Sequence, residues 1–229
     1  MNSQKELMKK KKKGKVFSFK FFLYDFVKWT AALPTLLFLR PKAYYINKNA
    51  KKKVKGANFV IANHKTFLDP VYLSTIFWYR RVHFLATQNL FETPGKSRFF
   101  KSMLCIPVNK ENFNLSTFKM VENCTDLGHV VGIFPEGTIS GEKSSINTFH
   151  SGVVLMAWKC NAPIVPVYIN QRKHWYNRLR YSIGEPIKIS DICGSMPSMS
   201  DIEKISEILH DKEVELKEFL EKQLKCKEK

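Results

Sequence analysis

The segment Asn63-His64-Lys65-Thr66-Phe67-Leu68-Asp69 sets an imidazole and a carboxylate five positions apart, directly after the apolar run Phe59-Val60-Ile61-Ala62. On a regular helix five steps of about 100° leave two side chains roughly 140° apart, so the backbone must turn if they are to meet. Brought together, Asp69 would fix the tautomer and orientation of the His64 ring and stabilise it once protonated. The other ring nitrogen would then remove a proton from an alcohol. Histidine suits this work because its unperturbed pKa, about 6.5, lies near working pH. Taken alone the pattern is weak, since a loop histidine and a capping aspartate recur by chance at this spacing. A second segment, Phe134-Pro135-Glu136-Gly137-Thr138, follows another apolar run and carries a carboxylate and a glycine in a turn.

These residues need a scaffold of strand ends. Short apolar runs predict strands at 59–62, 82–86, 105–108, 130–134, 164–169 and 180–183, with helices around 70–79, 98–103, 115–126 and 152–159. Such alternation predicts an α/β fold, a mixed and mostly parallel sheet flanked by helices, with functional residues at the strand ends. Asp69-Pro70 reads as a helix N-cap followed by proline at the first helical position. Near the C-terminus Ser200-Asp201-Ile202-Glu203 has the form of a capping box. Ile202, Ile205, Ile208, Leu209, Leu216, Phe219, Leu220 and Leu224 then recur at helical spacing as a face for the domain's own core.

Together with Ile106-Pro107-Val108-Asn109-Lys110 and Ala162-Pro163-Ile164-Val165-Pro166-Val167, the two segments carry a resemblance. In order and approximate spacing over residues 59 to 170 the chain resembles the glycerolipid acyltransferase family, which includes the 1-acyl-glycerol-3-phosphate acyltransferases. The resemblance implies transfer of a fatty acyl group from acyl-CoA or acyl-ACP to the free hydroxyl of lysophosphatidate, or of another lysolipid. A non-catalytic lipid-binding protein on the same fold is the alternative. The resemblance implies His64 as general base with Asp69, and Glu136, Gly137, Thr138 and Lys110 at the acceptor, with Asn63 in support. Glu136 would bind acceptor hydroxyls or orient its loop. The family commonly has arginine where this chain has Lys110 and Ile139; arginine grips phosphate bidentately, lysine is a point charge, and isoleucine offers nothing. Lys143, Lys65 and Arg172 are the substitutes considered. No nucleophile motif is present for an acyl-enzyme, so transfer is expected to be direct, with the acyl chain in an apolar groove.

The chain has 229 residues, 44% of them hydrophobic and 13% aromatic, ample for one buried domain with an appendage. Its formal net charge of +18 is uneven, because residues 1 to 55 hold 16 Lys and Arg against Glu6 and Asp25. These basic stretches bracket an aromatic segment at 16–39, an arrangement that suits an anionic bilayer surface better than nucleic acid. In that segment Ser18, Asp25, Lys28 and Thr35 share an arc of roughly 100° on a helical wheel. As a span, Asp25 and Lys28 would cost about 2.5 to 3.5 kcal/mol each, nearly cancelling the apolar gain, and Pro34 would break the helix. The expectation is therefore 1–55 as a basic tail and an amphipathic, membrane-associating helix pair on the cytoplasmic face of the cell membrane, and 56–229 as the acyltransferase domain. Five cysteines without paired spacing are expected to be reduced thiols, and neither metal nor cofactor is expected.

Overall fold

The computed structural model describes residues 22–109, 115–140, 146, 149–172, 174, 176–193 and 197–228. In chain order the elements are α1 (Phe22–Leu39), β1 (Lys42–Tyr45), β2 (Asn58–Ala62), α2 (Asp69–Ile76), β3 (Val82–Thr87), α3 (Pro94–Ser102), β4 (Cys105–Val108), α4 (Leu115–Asp126), β5 (Val130–Ile133), α5 (Gly152–Lys159), β6 (Ile164–Ile169), β7 (Arg180–Ile183), α6 (Ile189–Ile192) and α7 (Met199–Glu228). The strands form one sheet in the order β1-β7-β6-β2-β5-β3-β4. Strands β6, β2, β5, β3 and β4 run parallel, while β6 and β7 pair antiparallel, so β7 and its parallel neighbour β1 run the other way.

Central strand β2 shows why the apolar runs are unbroken, since all five of its residues are buried. Phe59 and Ile61 join a core with Phe118 and Val121 of α4, Val154 and Met156 of α5, and Ile205 and Leu209 of α7. Val60 and Ala62 face the opposite layer, with Leu39 at the end of α1 and Leu73 and Ile76 of α2. A strand covered on both faces has no polar side to alternate with.

The expected mixed, mostly parallel α/β sheet is the observed architecture, and its strands fall on the predicted runs. Strand β1 was not expected. It lies in the basic stretch assigned to the appendage and pairs with β7 from Lys42↔Arg180 to Tyr45↔Ile183. The 40–55 stretch is therefore partly sheet, and a boundary at residue 55 would separate β1 from its partner β7. The capping box also sits two residues earlier than Ser200: Ser198 and Asp201 exchange backbone N–H bonds with each other's side chains, at 3.0 and 3.2 Å. Met199 can start a helix there because Ser198 provides the cap.

Helix α1 departs further from expectation. It runs unbroken through Pro34, with the Thr35 hydroxyl bonded to the Ala31 carbonyl beside it. Asp25 and Lys28 of its polar arc turn toward the protein, while Ser18 lies outside the described residues. Asp25, 7% exposed, accepts both Arg81 Nε at 3.0 Å and Nη2 at 2.6 Å, and Lys28 Nζ donates to the Arg80 carbonyl at 2.7 Å. Burial draws the Lys28 ammonium down to about 8. Phe22, Leu23, Phe26 and Trp29 are left exposed. Among the described residues no helix is long and apolar enough to cross a membrane.

Beneath β3, His83 Nε2 and His129 Nδ1 are 2.9 Å apart, with Cys124 Sγ 3.4 Å from His83 Nδ1. Burial, reinforced by Arg81 and Arg80, lowers His129 from 6.5 to about 4. Between those pH values the unfolded chain binds a proton that the folded chain refuses, so stability is complete above pH 6.5 and falls as pH drops toward 4. Urea midpoints measured at both ends of that window are expected to fall less for His129→Asn than for the wild type. Equal losses would show that His129 does not set the acid sensitivity.

Candidate active site

The sheet register brings the two motif segments together. Ile61 of β2 pairs with Ile133 of β5 in parallel, and His64 and Glu136 each lie three residues beyond that pair. Both loops therefore leave the same edge of the sheet side by side, although 72 residues separate them in sequence. Glu136 Oε1 accepts the His64 backbone N–H at 3.0 Å. On the other side, Asn63 brackets β6, donating Nδ2–H to the Ile169 carbonyl at 3.1 Å and accepting the Ile169 N–H at 2.8 Å.

The turn between His64 and Asp69 closes on the aspartate. Asp69 Oδ2 accepts the backbone N–H groups of Lys65 at 2.6 Å and Thr66 at 2.7 Å, and lies 3.0 Å from His64 Nδ1. Oδ1 accepts the Thr66 hydroxyl at 3.0 Å. Asp69 is 2% exposed, so these donors replace the water it has lost. It does not cap α2: Leu68 holds the N-cap position, no side chain caps there, and Asp69 is the first helical residue. Its carboxylate turns back toward the preceding loop instead. Because Oδ2 is an acceptor, Nδ1 carries the ring proton and Nε2 keeps its lone pair.

Every part of His64 is held. Ser140 donates to the His64 carbonyl through both its backbone N–H at 2.8 Å and its hydroxyl at 3.0 Å. The Phe134 ring stacks on the imidazole with centroids 4.3 Å apart, and Phe84 stacks on Phe134 in turn. Gly132 makes room for that stack, since a Cβ there would lie 2.7 Å from the Phe84 ring.

His64 lines a cavity of 1210 Å³ between the sheet edge and α1, walled mainly by apolar side chains such as Phe84, Phe99, Met103 and Leu155. Gly137, Thr138 and Ile139 line it too. Gly137 has φ +66°, a left-handed conformation natural to glycine, and its N–H closes the turn onto the Phe134 carbonyl at 3.0 Å. Glu136 is 3% exposed and absent from the cavity wall. Of its two expected roles, contact with acceptor hydroxyls and orientation of the loop, the geometry supports the second.

Lys110 and Lys143 lie outside the described residues. Lys65 is buried beside Glu136 and Glu213, and Arg172 Nε donates to the Asn177 carbonyl at 2.6 Å while its guanidinium covers the Phe38 and Tyr72 rings. The sequence reading missed His150. Its ring lies against Gly137, Nε2 standing 2.7 Å from where a Cβ would be, and it lines the same cavity as His64. No spacing rule links His150 to His64, because the contact depends on the loop before α5 folding over the Gly137 turn. Burial raises Cys105 on the cavity wall to about 11, which keeps it a thiol and a poor nucleophile. None of the five cysteines is in a disulfide, and the described residues hold no group of three or more potential metal ligands.

The chain is 29% identical over 196 residues to the 1-acyl-sn-glycerol-3-phosphate acyltransferase of Bacillus subtilis (strain 168), spanning 83% of this chain and 96% of that one. It is 28% identical over 127 residues to a probable 1-acyl-sn-glycerol-3-phosphate acyltransferase of Mycoplasma pneumoniae, covering 53% of this chain and 47% of that protein. The crystal structure of the 1-acyl-sn-glycerophosphate acyltransferase PlsC from Thermotoga maritima shares the fold, with a TM-score of 0.58 at 18% identity over 87% of this chain and 80% of that one. The Acyltransferase family model matches residues 43–170, more than half of the sequence and the whole of the His64–Glu136 site, and the chain belongs to that family.

Proposed function

We propose that this chain is a 1-acyl-sn-glycerol-3-phosphate acyltransferase, moving a fatty acyl group from acyl-CoA or acyl-ACP to the free hydroxyl of lysophosphatidate in phospholipid synthesis. The observation that carries this reading is the buried carboxylate holding His64 Nδ1 while the same ring lines a large apolar cavity. Nε2 takes the proton of the acceptor hydroxyl as its oxygen attacks the thioester carbonyl. The tetrahedral adduct then collapses, the C–S bond breaks, and the imidazolium returns the proton to the departing thiolate. Asp69 stabilises the imidazolium in between. The names of the Bacillus and Mycoplasma relatives support the acceptor.

The apolar cavity accommodates the acyl chains, and the phosphate needs a cation. Three described lining residues have basic side chains, Lys28, His64 and His150. Lys28 is committed to the Arg80 carbonyl and His64 to Asp69, so His150, beside the Gly137 turn, is the residue assigned to the headgroup. Ile139 lines the same wall and favours a second acceptor class, a lysolipid without a terminal phosphate.

The exposed apolar side of α1 continues at the cavity mouth into Phe67, 88% exposed, and Val71 and Trp78 of neighbouring segments. A patch of this kind, on a helix that follows a lysine-rich tail in the sequence, supports peripheral docking on an anionic membrane surface at its cytoplasmic face. The bilayer then supplies the acceptor directly to the cavity.

Three outcomes are expected. His64→Ala lowers kcat by about 10²-fold or more with lysophosphatidate, and Asp69→Asn does the same with little change in KM. Retention of wild-type turnover by either would remove the dyad from the mechanism. His150→Gln raises KM for lysophosphatidate about tenfold while leaving a headgroup-free monoacylglycerol unaffected, the loss being that of a charge-assisted contact. An equal effect on both acceptors would sink the headgroup assignment. Replacing Phe22, Phe26 and Trp29 together by Ser weakens sedimentation with anionic vesicles about tenfold or more at unchanged Tm. Undiminished binding would move the docking surface elsewhere.

A further inference from the structure

His64 is held in its plane by one residue and across its face by another. In the plane, Asp69 Oδ2 lies 3.0 Å from Nδ1, and Nε2 keeps its lone pair. Across the face lies Phe134, with ring centroids 4.3 Å apart and planes inclined by 20°. Phe84 of β3 stacks on Phe134 in turn, at 6.1 Å and 7°. The imidazole is thus one end of a three-ring series that runs back into the sheet. Gly132 on β5 allows it, because a Cβ there would lie 2.7 Å from the Phe84 ring and 3.0 Å from Val82 Cγ1.

A phenyl face is electron-rich at its centre and attracts a cation within about 6 Å. Neutral imidazole gains only ordinary stacking from such a face, whereas an imidazolium gains an electrostatic attraction as well. The contact therefore strengthens as His64 takes up a proton, which is the condition for an interaction to favour a transition state over a ground state. Its surroundings leave that attraction weakly screened, since the His64 side chain is 17% exposed and the cavity wall is mainly apolar. Asp69 also stabilises the cation, but a second carboxylate in place of the ring would bear its own desolvation cost and compete for the proton. A phenyl ring does neither. Leucine would fill much of the same space and supply no attraction.

We infer that Phe134 is a positioning residue with an electrostatic share in the acyl transfer: its face attracts the His64 ring as that ring becomes an imidazolium, and Phe84, admitted by Gly132, backs it. No bond is made or broken at Phe134. The kinetic consequence rests on His64 acting as the base, while the attraction between ring and imidazolium needs no substrate.

Fluorine withdraws electron density from a phenyl face at nearly constant shape, so the full chain carrying a mono-, di- or pentafluorinated phenylalanine at position 134 tests this, beside Phe134→Leu. With lysophosphatidate and an acyl-CoA, kcat is expected to fall stepwise along the fluorinated series to about a tenth of the wild type, with KM within about twofold, and Phe134→Leu falls at least as far. Constant kcat along the series, with a loss only in Phe134→Leu, would leave Phe134 a steric wedge and overturn the inference. Thermal unfolding supplies a readout free of any acyl donor, at about pH 5 and about pH 8, on either side of the ordinary histidine range. The attraction exists only with His64 protonated, so the Tm gap between the wild type and the pentafluorinated protein is expected to be about 2 °C or more wider at the lower pH. The acid sensitivity assigned to His129 is common to both proteins and cancels. A gap independent of pH would overturn the inference whether or not the protein transfers acyl groups. A pH-dependent gap in a protein that turns over no acyl donor would uphold the attraction and defeat the acyltransferase proposal alone.

Discussion

One buried carboxylate organises this site. Asp69 gathers two backbone N–H groups, a hydroxyl and an imidazole nitrogen within a six-residue segment, and at 2% exposure it has little water to fall back on. Bonds to an ionised acceptor are the strong ones, worth about 1.5 to 3 kcal/mol each, so the closed turn is strongly preferred over an open one. The same interaction that stabilises the loop selects the tautomer of His64. Stability and reactivity are therefore coupled at this point, and a loop that failed to close would lose both.

Closure alone would leave the imidazole swinging. The sheet supplies the rest, because parallel β2 and β5 deliver their following loops to one edge in matching register. Glu136 takes the His64 N–H, Ser140 the carbonyl and Phe134 the ring face. All of these contacts come from residues that follow β5, so the second motif works chiefly as a clamp on the first. Phe134, Pro135, Gly137 and Thr138 line the cavity as well, and Glu136 alone of the motif does not.

Helix α1 shows a balance opposite to that of an ordinary surface helix. Its ionic groups are spent on Arg81 and the Arg80 carbonyl, and its aromatic side faces outward. An aspartate facing lipid would have no partner, whereas one docked on Arg81 is neutralised by a bidentate pair. A helix so arranged presents apolar surface without carrying an uncompensated charge into it.

Local order in the sequence determined much of this protein. Runs such as Phe59–Ala62 and Ile164–Ile169 foretold strands because burial on both faces leaves no polar position. The His64–Asp69 pairing was legible because five residues and one turn contain it. Contacts between distant segments were not. β1 has four residues, one of them buried, and too little pattern to betray an edge strand; the Glu136–His64 bond depends on which strands become neighbours. His150 acquires its surroundings only when the loop before α5 packs against the Gly137 turn. Periodicity reports which side of an element is buried, and strand order alone decides what that side meets.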